Sequence, residues 1–358
     1  MTLLYFNVEC PKMKLILFLS TIAGIGILGL LLWANFPSLP NKTYKQGQLF
    51  YFPSPSQNET IWTPDTPIKT MTYNLGFGAG ENGLNGRTYT QKDIEKNLSD
   101  IKNTILSESP DILAVQEIDL QSRRSYFIDE VKYIAKTCKY PYVAMAYTWD
   151  KNWVPYPFFT NPKYQFGKTL AGQAIFSKYP ISKQEILRFN KPSSNNGFYN
   201  LFYLDRVLQT IHVSLSKTQS IRISNIHLEA FDKKERAKQA KYTLKFLEDP
   251  LPKIPQILMG DFNAVDTLLV PSLSDSKEFH HEYEKDKTLS ILRQAKTLRE
   301  ILDKLPTKTQ KNYKTYPTSA PKVRLDYIFY SQTIVPTNIT LPKGTGSDHK
   351  PISATFKL

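Results

Sequence analysis

Six short peptides in this chain carry side chains able to hold a cation and move a proton. They are Met71-Thr72-Tyr73-Asn74, Val115-Gln116-Glu117, Asn225-Ile226-His227-Leu228, Gly260-Asp261-Phe262-Asn263, Arg324-Leu325-Asp326-Tyr327 and Ser347-Asp348-His349. Glu117 ends an apolar run, where a carboxylate is costly to bury alone, so a cation or a base belongs beside it. Hard oxygen donors suit Mg²⁺ or Mn²⁺ better than zinc, and Asp348 and Asp261 are candidate companions. Asn74 and Asn263 can orient a carboxylate or donate to a phosphate oxygen without adding charge. His349 could take a proton from water if a carboxylate fixed its tautomer, and Asp326 is the natural candidate. His227 could protonate a leaving oxygen or donate to a phosphoryl group. Arg206, at the start of an apolar run, reads either as an anion anchor or as an ordinary salt-bridge residue. Found singly, each peptide would be a turn, a strand or a loop. Brought together, such a cluster could hold a divalent cation and hydrolyse a phosphate ester.

Such a pocket needs strand ends gathered on one edge of a sheet. Ile68–Asn74 alternates partly and predicts a strand, ended by the turn Gly76-Phe77-Gly78-Ala79-Gly80, which lacks the Lys-Ser/Thr of a phosphate-binding loop. Thr90 and Asp93 have the spacing of a capping box, and Ile94, Leu98, Ile101 and Ile105 then fall on one helical face. Residues 112–116, 171–177, 206–215, 221–227, 256–260, 328–330 and 352–356 predict further strands. Residues 233–248 predict a basic amphipathic helix, and 289–305 predict another, with Leu292, Ala295, Leu298, Leu302 and Leu305 on one side. Strands and helices are mixed and strand pairs are frequent, so a layered sheet core covered by helices is expected.

The N-terminus is different. Residues 15–33 carry no charge, and their length is close to the minimum for a membrane-spanning helix. Lys12 and Lys14 precede them, which favours that end in the cytoplasm and the rest outside. The organisation is therefore a short segment (1–14), a transmembrane anchor or signal sequence (15–33), a linker (34–65) and a catalytic domain (66–358). An uncleaved anchor implies a single-pass cell-membrane protein with its catalytic domain on the extracytoplasmic side. A cleaved signal implies a secreted one. Asn41, Asn58, Asn97 and Asn338 head N-x-Ser/Thr sequences, which matter only in a host that glycosylates exported proteins.

The chain has 358 residues and a net charge of +14, so polyanions are its natural partners: nucleic acid, anionic lipid or a phosphorylated small molecule. A solubilising positive shell is the plainer account of the same charge. Cys10 and Cys138 are the two cysteines, too few for a thiolate zinc site, and no disulfide between them is expected. His280 and His281 sit in a charged stretch that reads as a solvated loop.

In their order, these peptides make the chain resemble the endonuclease/exonuclease/phosphatase superfamily, also called DNase I-like, from about residue 68 to the C-terminus. Gln116-Glu117, Gly260-Asp261-Phe262-Asn263 and Ser347-Asp348-His349 together carry the resemblance. It implies a four-layered α/β sandwich, two packed mixed β-sheets flanked by helices, and metal-dependent hydrolysis of phosphate esters. It implies Glu117 as the metal-binding glutamate with Asn74 beside it, and Asp348 and His349 as the terminal Asp-His pair. It further implies Asp326 as the support of the catalytic histidine, and Asp261 and Asn263 as contacts to nucleophile, leaving group or phosphate. Asn225 and His227 stand where the family has Asn-Thr-His, with Ile226 replacing the threonine, and Asn225 is expected to bind substrate together with Arg206. Family members differ over whether the histidine or the Asp-x-Asn aspartate takes the proton from water; His349 is the expectation here.

The expected activity is a phosphodiesterase acting on nucleic acid or phospholipid head groups, as a monomer. The alternatives are a phosphomonoesterase on a phosphoinositide or sugar phosphate, and an inactive member that binds polyanions. An aromatic-rich stretch from 147 to 166, interspersed with Lys151 and Lys163, could stack on bases, dip into a lipid interface, or pack against its own domain.

Overall fold

The computed structural model describes residues 11–53, 62–85, 88–250, 254–266, 283 and 285–358. Cys10, Asn58, His280 and His281 lie outside the described residues. The strands, in chain order, are β1 (Gln48–Tyr51), β2 (Ile68–Asn74), β3 (Ile112–Asp119), β4 (Tyr142–Val154), β5 (Gly167–Ser177), β6 (Ile181–Arg188), β7 (Val207–Ser214), β8 (Ser220–His227), β9 (Gln256–Asp261), β10 (Leu298–Glu300), β11 (Asp326–Ser331), β12 (Val335–Thr340) and β13 (Ile352–Lys357). The helices are α1 (Pro11–Asn35), α2 (Asn41–Gln46), α3 (Gln91–Glu108), α4 (Glu130–Thr137), α5 (Gly197–Phe202), α6 (Lys233–Glu248), α7 (Thr288–Leu292) and α8 (Thr307–Gln310).

One sheet has the order β1-β4-β5-β3-β2-β13-β12, and the other β10-β11-β9-β8-β7-β6. Among the described residues each contains one parallel pair, β2 with β3 and β8 with β9, so both sheets are mixed. Strand periodicity builds the layers. On β3, Ile112 and Ala114 face the opposite sheet, whereas Leu113 and Val115 face helices. On β9, Ile257 and Met259 point between the sheets, and Leu258 packs outward with Ala240 and Leu247 of α6. Ile94, Leu98, Ile101 and Ile105 of α3 cover the first sheet. The fold is thus helix, sheet, sheet, helix. Thr90 caps α3 with Asp93 in the reciprocal arrangement its spacing predicts.

The long helix predicted over 289–305 does not form. α7 ends at Leu292, a turn follows, and β10 pairs antiparallel with β11, Leu298 opposite Ser331. Its leucines have helical spacing, but β11 offers an unpaired edge whose backbone groups need partners, and that demand outweighs propensity. The stretch expected to be a linker is also partly structured: α2 and β1 lie within it, and β1 pairs with β4 at the sheet edge.

α1 exposes Leu15, Ile16, Ile22, Ile25, Leu28 and Leu32, so it is no core helix. It is long and apolar enough to cross a membrane, a test that signal sequences also pass.

Candidate active site

The two parallel pairs end at the same edge of the sandwich. Asn74 is in register with Gln116 across β2 and β3, and His227 with Asp261 across β8 and β9. Asp261 is in turn opposite Asp326, the first residue of β11. His349 lies just before β13, which runs antiparallel to β2, so its loop returns to this edge. The result is a cavity of about 450 Å³ whose lining includes Glu117, Arg206, His227, Asp261, Asn263, Asp348 and His349.

Glu117 reaches this cavity because β3 bulges. The register with β5 shifts between Val115 and Ile118, and Glu117 has φ 51. A bulge re-aims one side chain, and positive φ in a non-glycine residue stores strain, often where chemistry requires it. Asn263 (φ 48) and Phe77 (φ 42) share the feature at the same cavity. Gly76 (φ 52) lies beside Asp348, where a Cβ would stand 2.8 Å from Oδ1. That close approach leaves room around the carboxylate that a larger residue would fill.

Asn74 joins the two halves. Its Nδ2 donates to Glu117 Oε1 (3.2 Å) and to Asp261 Oδ2 (3.0 Å), and its Oδ1 accepts from Gly76 N (3.0 Å). With its oxygen engaged by the backbone, the side chain is set to orient carboxylates. Asp261 Oδ2 also lies 3.6 Å from His227 Nε2 and 3.7 Å from His349 Nε2, and its Oδ1 accepts from Asn263 N at 2.8 Å. His349 Nδ1 is 2.9 Å from Asp326 Oδ2, and the imidazole packs on Tyr316, ring centroids 5.0 Å apart. Thr315 Oγ1 accepts from the backbone of Leu325 and Asp326, and Ser347 Oγ from His349 N, fixing the backbone on both sides of the pair.

Burial dominates the electrostatics. It pushes Asp261 up to about 7, against His349, which pulls it down. It pushes Asp348 up to about 6, again opposed by His349. Burial alone would lower His349, but Asp326 and Asp261 hold it well above the usual histidine range. The Asp326 carboxylate opposite Asp261 on the neighbouring strand adds to the rise, and His349, in reach of both, offsets it. His227 is the reverse: burial, then the Arg206 guanidinium and His349, hold it well below its ordinary value, so it is neutral.

Ligand atoms of Asp261, Asp326 and His349 lie within 4.8 Å of one another and could surround a metal ion. The 2.9 Å contact of His349 Nδ1 with Asp326 Oδ2 also suits a proton relay. Glu117, Asp348 and Asp261 offer oxygen donors at the same cavity, and the space beside Gly76 fits a hard divalent cation there.

Arg206 is buried at the cavity wall, with Glu229 Oε2 3.8 Å from its Nε. Tyr203 donates to Glu229 Oε1 at 2.6 Å. Glu229, Tyr203 and Tyr316 had no assigned role in the sequence, although a buried arginine demands a counter-charge nearby.

Asn225, expected to bind substrate, does not line the cavity. Its Nδ2 donates to Val115 O (2.9 Å) and Ala174 O (3.1 Å), and its Oδ1 accepts from Gln116 Nε2 (2.6 Å). All three partners are on the opposite sheet, so the amide clamps the sandwich beneath the site. Replacing Asn225 with leucine strands two buried carbonyls and the Gln116 amide. The expected cost is about 2–4 kcal/mol, read as a lower denaturant midpoint; an unchanged midpoint would refute the clamp.

A family profile described as Endonuclease/Exonuclease/phosphatase family matches residues 71–349. No curated protein matches the chain by sequence. Among solved structures, the fold is similar to an endonuclease/exonuclease/phosphatase from Beutenbergia cavernae DSM 12333 (TM-score 0.58, 15% identity, 82% of this chain and 72% of that one). It is similar to a mannosyl-6-phosphatase from Bacteroides thetaiotaomicron VPI-5482 (TM-score 0.53, 16% identity, 81% and 99%). It is also similar to the catalytic domain of human Nocturnin with bound sulfate (TM-score 0.51, 19% identity, 81% and 93%). At these identities the structures speak for the fold alone. With the profile spanning most of the chain and the sandwich matching, the chain belongs to the endonuclease/exonuclease/phosphatase family, whose members hydrolyse phosphoester bonds.

Proposed function

We propose that the chain is a divalent-metal-dependent phosphodiesterase. The observation that carries this reading is the meeting of Glu117, Asp261, His227 and the His349–Asp326 pair at one cavity. Glu117 and Asp348 would hold Mg²⁺ or Mn²⁺, with Asn74 orienting the glutamate. The ion, when bound, supplies Lewis-acid stabilisation of the negative charge that develops on the phosphoryl oxygens.

His349, with Nδ1 tied to Asp326, directs Nε2 into the cavity to take a proton from water. The water oxygen bonds to phosphorus, the P–O ester bond breaks, and the proton ends on the leaving alcohol. His227 is neutral, so it donates a hydrogen bond to a phosphoryl oxygen and does not act as a strong acid. Asp261 and Asn263 position the water or leaving group, and Arg206 draws the anionic ester to the cavity wall.

The chain is further inferred to act as a monomer, anchored through α1 with its catalytic domain on the extracytoplasmic side, since Lys12 and Lys14 flank the N-terminal end of the helix. Cleavage of that helix as a signal would give a secreted enzyme.

Assay of the full chain on DNA, RNA, phospholipids and inositol phosphates tests this. Hydrolysis is expected with Mg²⁺ or Mn²⁺, to vanish in excess chelator, and to return when the ion is restored. Undiminished turnover in chelator would refute the metal, and no turnover on any ester would refute the activity.

A further inference from the structure

The last turn of α1 is held by the catalytic domain. Trp33 stacks on Trp153 of β4, ring centroids 6.4 Å apart and 29° from parallel. Asn152 Nδ2 donates to Trp33 O at 3.2 Å, and Lys151 Nζ to Asn35 Oδ1 at 2.8 Å. Just beyond the helix, the backbone N–H groups of Ser38 and Leu39 both donate to Asp150, each at 2.8 Å. Asp150 is buried, so this carboxylate is dedicated to holding the chain where it leaves the helix. No free stalk separates α1 from the sheet.

The same end of β4 leads into the loop that rims the active-site cavity. Trp153 Nε1 donates to Gln165 at 2.9 Å, Phe166 N to Tyr156 O at 2.8 Å, and the rings of Tyr156 and Phe158 are 6.1 Å apart. Phe158 in turn contacts Phe198 of α5, centroids 6.4 Å apart. This rim exposes apolar rings to an unusual degree. Phe159 is 105% exposed and Phe198 53%, and both rings pack on Phe158 of the cavity lining. Contiguous exposed rings mark a surface that meets an apolar partner, and Trp33 at the end of a spanning helix sits where aromatic residues meet the bilayer interface. The net charge of +14 on the whole chain adds attraction to anionic surfaces.

From this continuity we infer that the cavity mouth is apposed to the bilayer crossed by α1, and that the substrate is a phosphate ester borne by a membrane lipid. The headgroup enters the cavity while the lipid tail stays against the aromatic rim. The inference rests on the phosphoesterase reading for its substrate arm, but not for the position of the rim.

The full chain, reconstituted in vesicles of phosphatidylcholine, phosphatidylglycerol, sphingomyelin and phosphatidylinositol phosphate, tests it. Lipid headgroup release is compared with hydrolysis of soluble bis(p-nitrophenyl) phosphate and of single-stranded DNA. Wild type is expected to release a lipid headgroup, and the F159S/F198S double variant to do so about tenfold more slowly, with its soluble-ester rate unchanged. In parallel, an environment-sensitive fluorophore on F159C, in a Cys10→Ser background, is expected to be quenched by nitroxide-labelled lipid. Buried Cys138 escapes labelling.

Equal loss on both substrates, or no loss on lipid, overturns the inference and leaves the phosphoesterase reading standing. So does a preference for DNA that ignores the rim. If no ester is cleaved at all, that reading falls, and absence of quenching at F159C would then overturn the apposed rim separately.

Discussion

Glu117→Gln is expected to lower kcat/KM on any cleaved ester by about 10³-fold or more, the loss that follows from removing several kcal/mol of metal-borne charge stabilisation. The substitution keeps the side chain's shape and can still accept from Asn74 Nδ2. It also keeps the φ 51 backbone that the bulge in β3 imposes. The fold should therefore survive, and the midpoint of thermal unfolding without metal should stay nearly constant. Titration of Mn²⁺ into the variant by calorimetry should show much weaker binding than wild type. Because the glutamate is partly open to the cavity and not locked in the core, any large fall in stability would indicate that its main role is structural.

Asp326→Asn tests the relay on its own. The carboxylate holds His349 Nδ1 at 2.9 Å, and the amide can fill the same space without the charge and favour the wrong tautomer. A loss of about 10²–10⁴ in kcat is expected, the range over which oriented general bases contribute. The pH profile distinguishes this from simple misplacement. His349 acts as a base only when deprotonated, and in the intact site Asp326 and Asp261 hold its pKa well above the usual value despite burial. Activity should therefore rise with pH through that high value. With Asp326 neutralised, the pKa falls, so the residual activity should rise at lower pH than in wild type. An unshifted limb with a full rate would remove His349 from the role of base.

The motifs were legible because each pairs an apolar run with a polar residue at its end, and parallel strands in register bring such ends together. Asn74 opposite Gln116 and His227 opposite Asp261 follow that logic. Asn225 shows where it stops. It lies two residues before His227 on β8, on the same face of the strand. One pleat deeper, that face no longer opens on the cavity but lies between the sheets, so the same residue type becomes a clamp. The aromatic stretch divides likewise: Trp149 and Phe166 are core, Trp153 grips α1, and Phe159 is fully exposed. All four are large aromatic rings, and the long β4 with its turn decides which way each one faces.

Local chemistry is written in single residues and their near neighbours. The chain by itself therefore determined its family, its layered fold, its apolar N-terminal helix and the acidic, histidine and arginine candidates Glu117, Arg206, His227, Asp261, Asp348 and His349 that line the cavity. Depth and aim depend on partners distant in sequence. Tertiary structure alone decided that Asn225 ties the sheets, that a bulge turns Glu117 inward, that residues 298–300 pair as an edge strand, and that α1 docks on the end of β4.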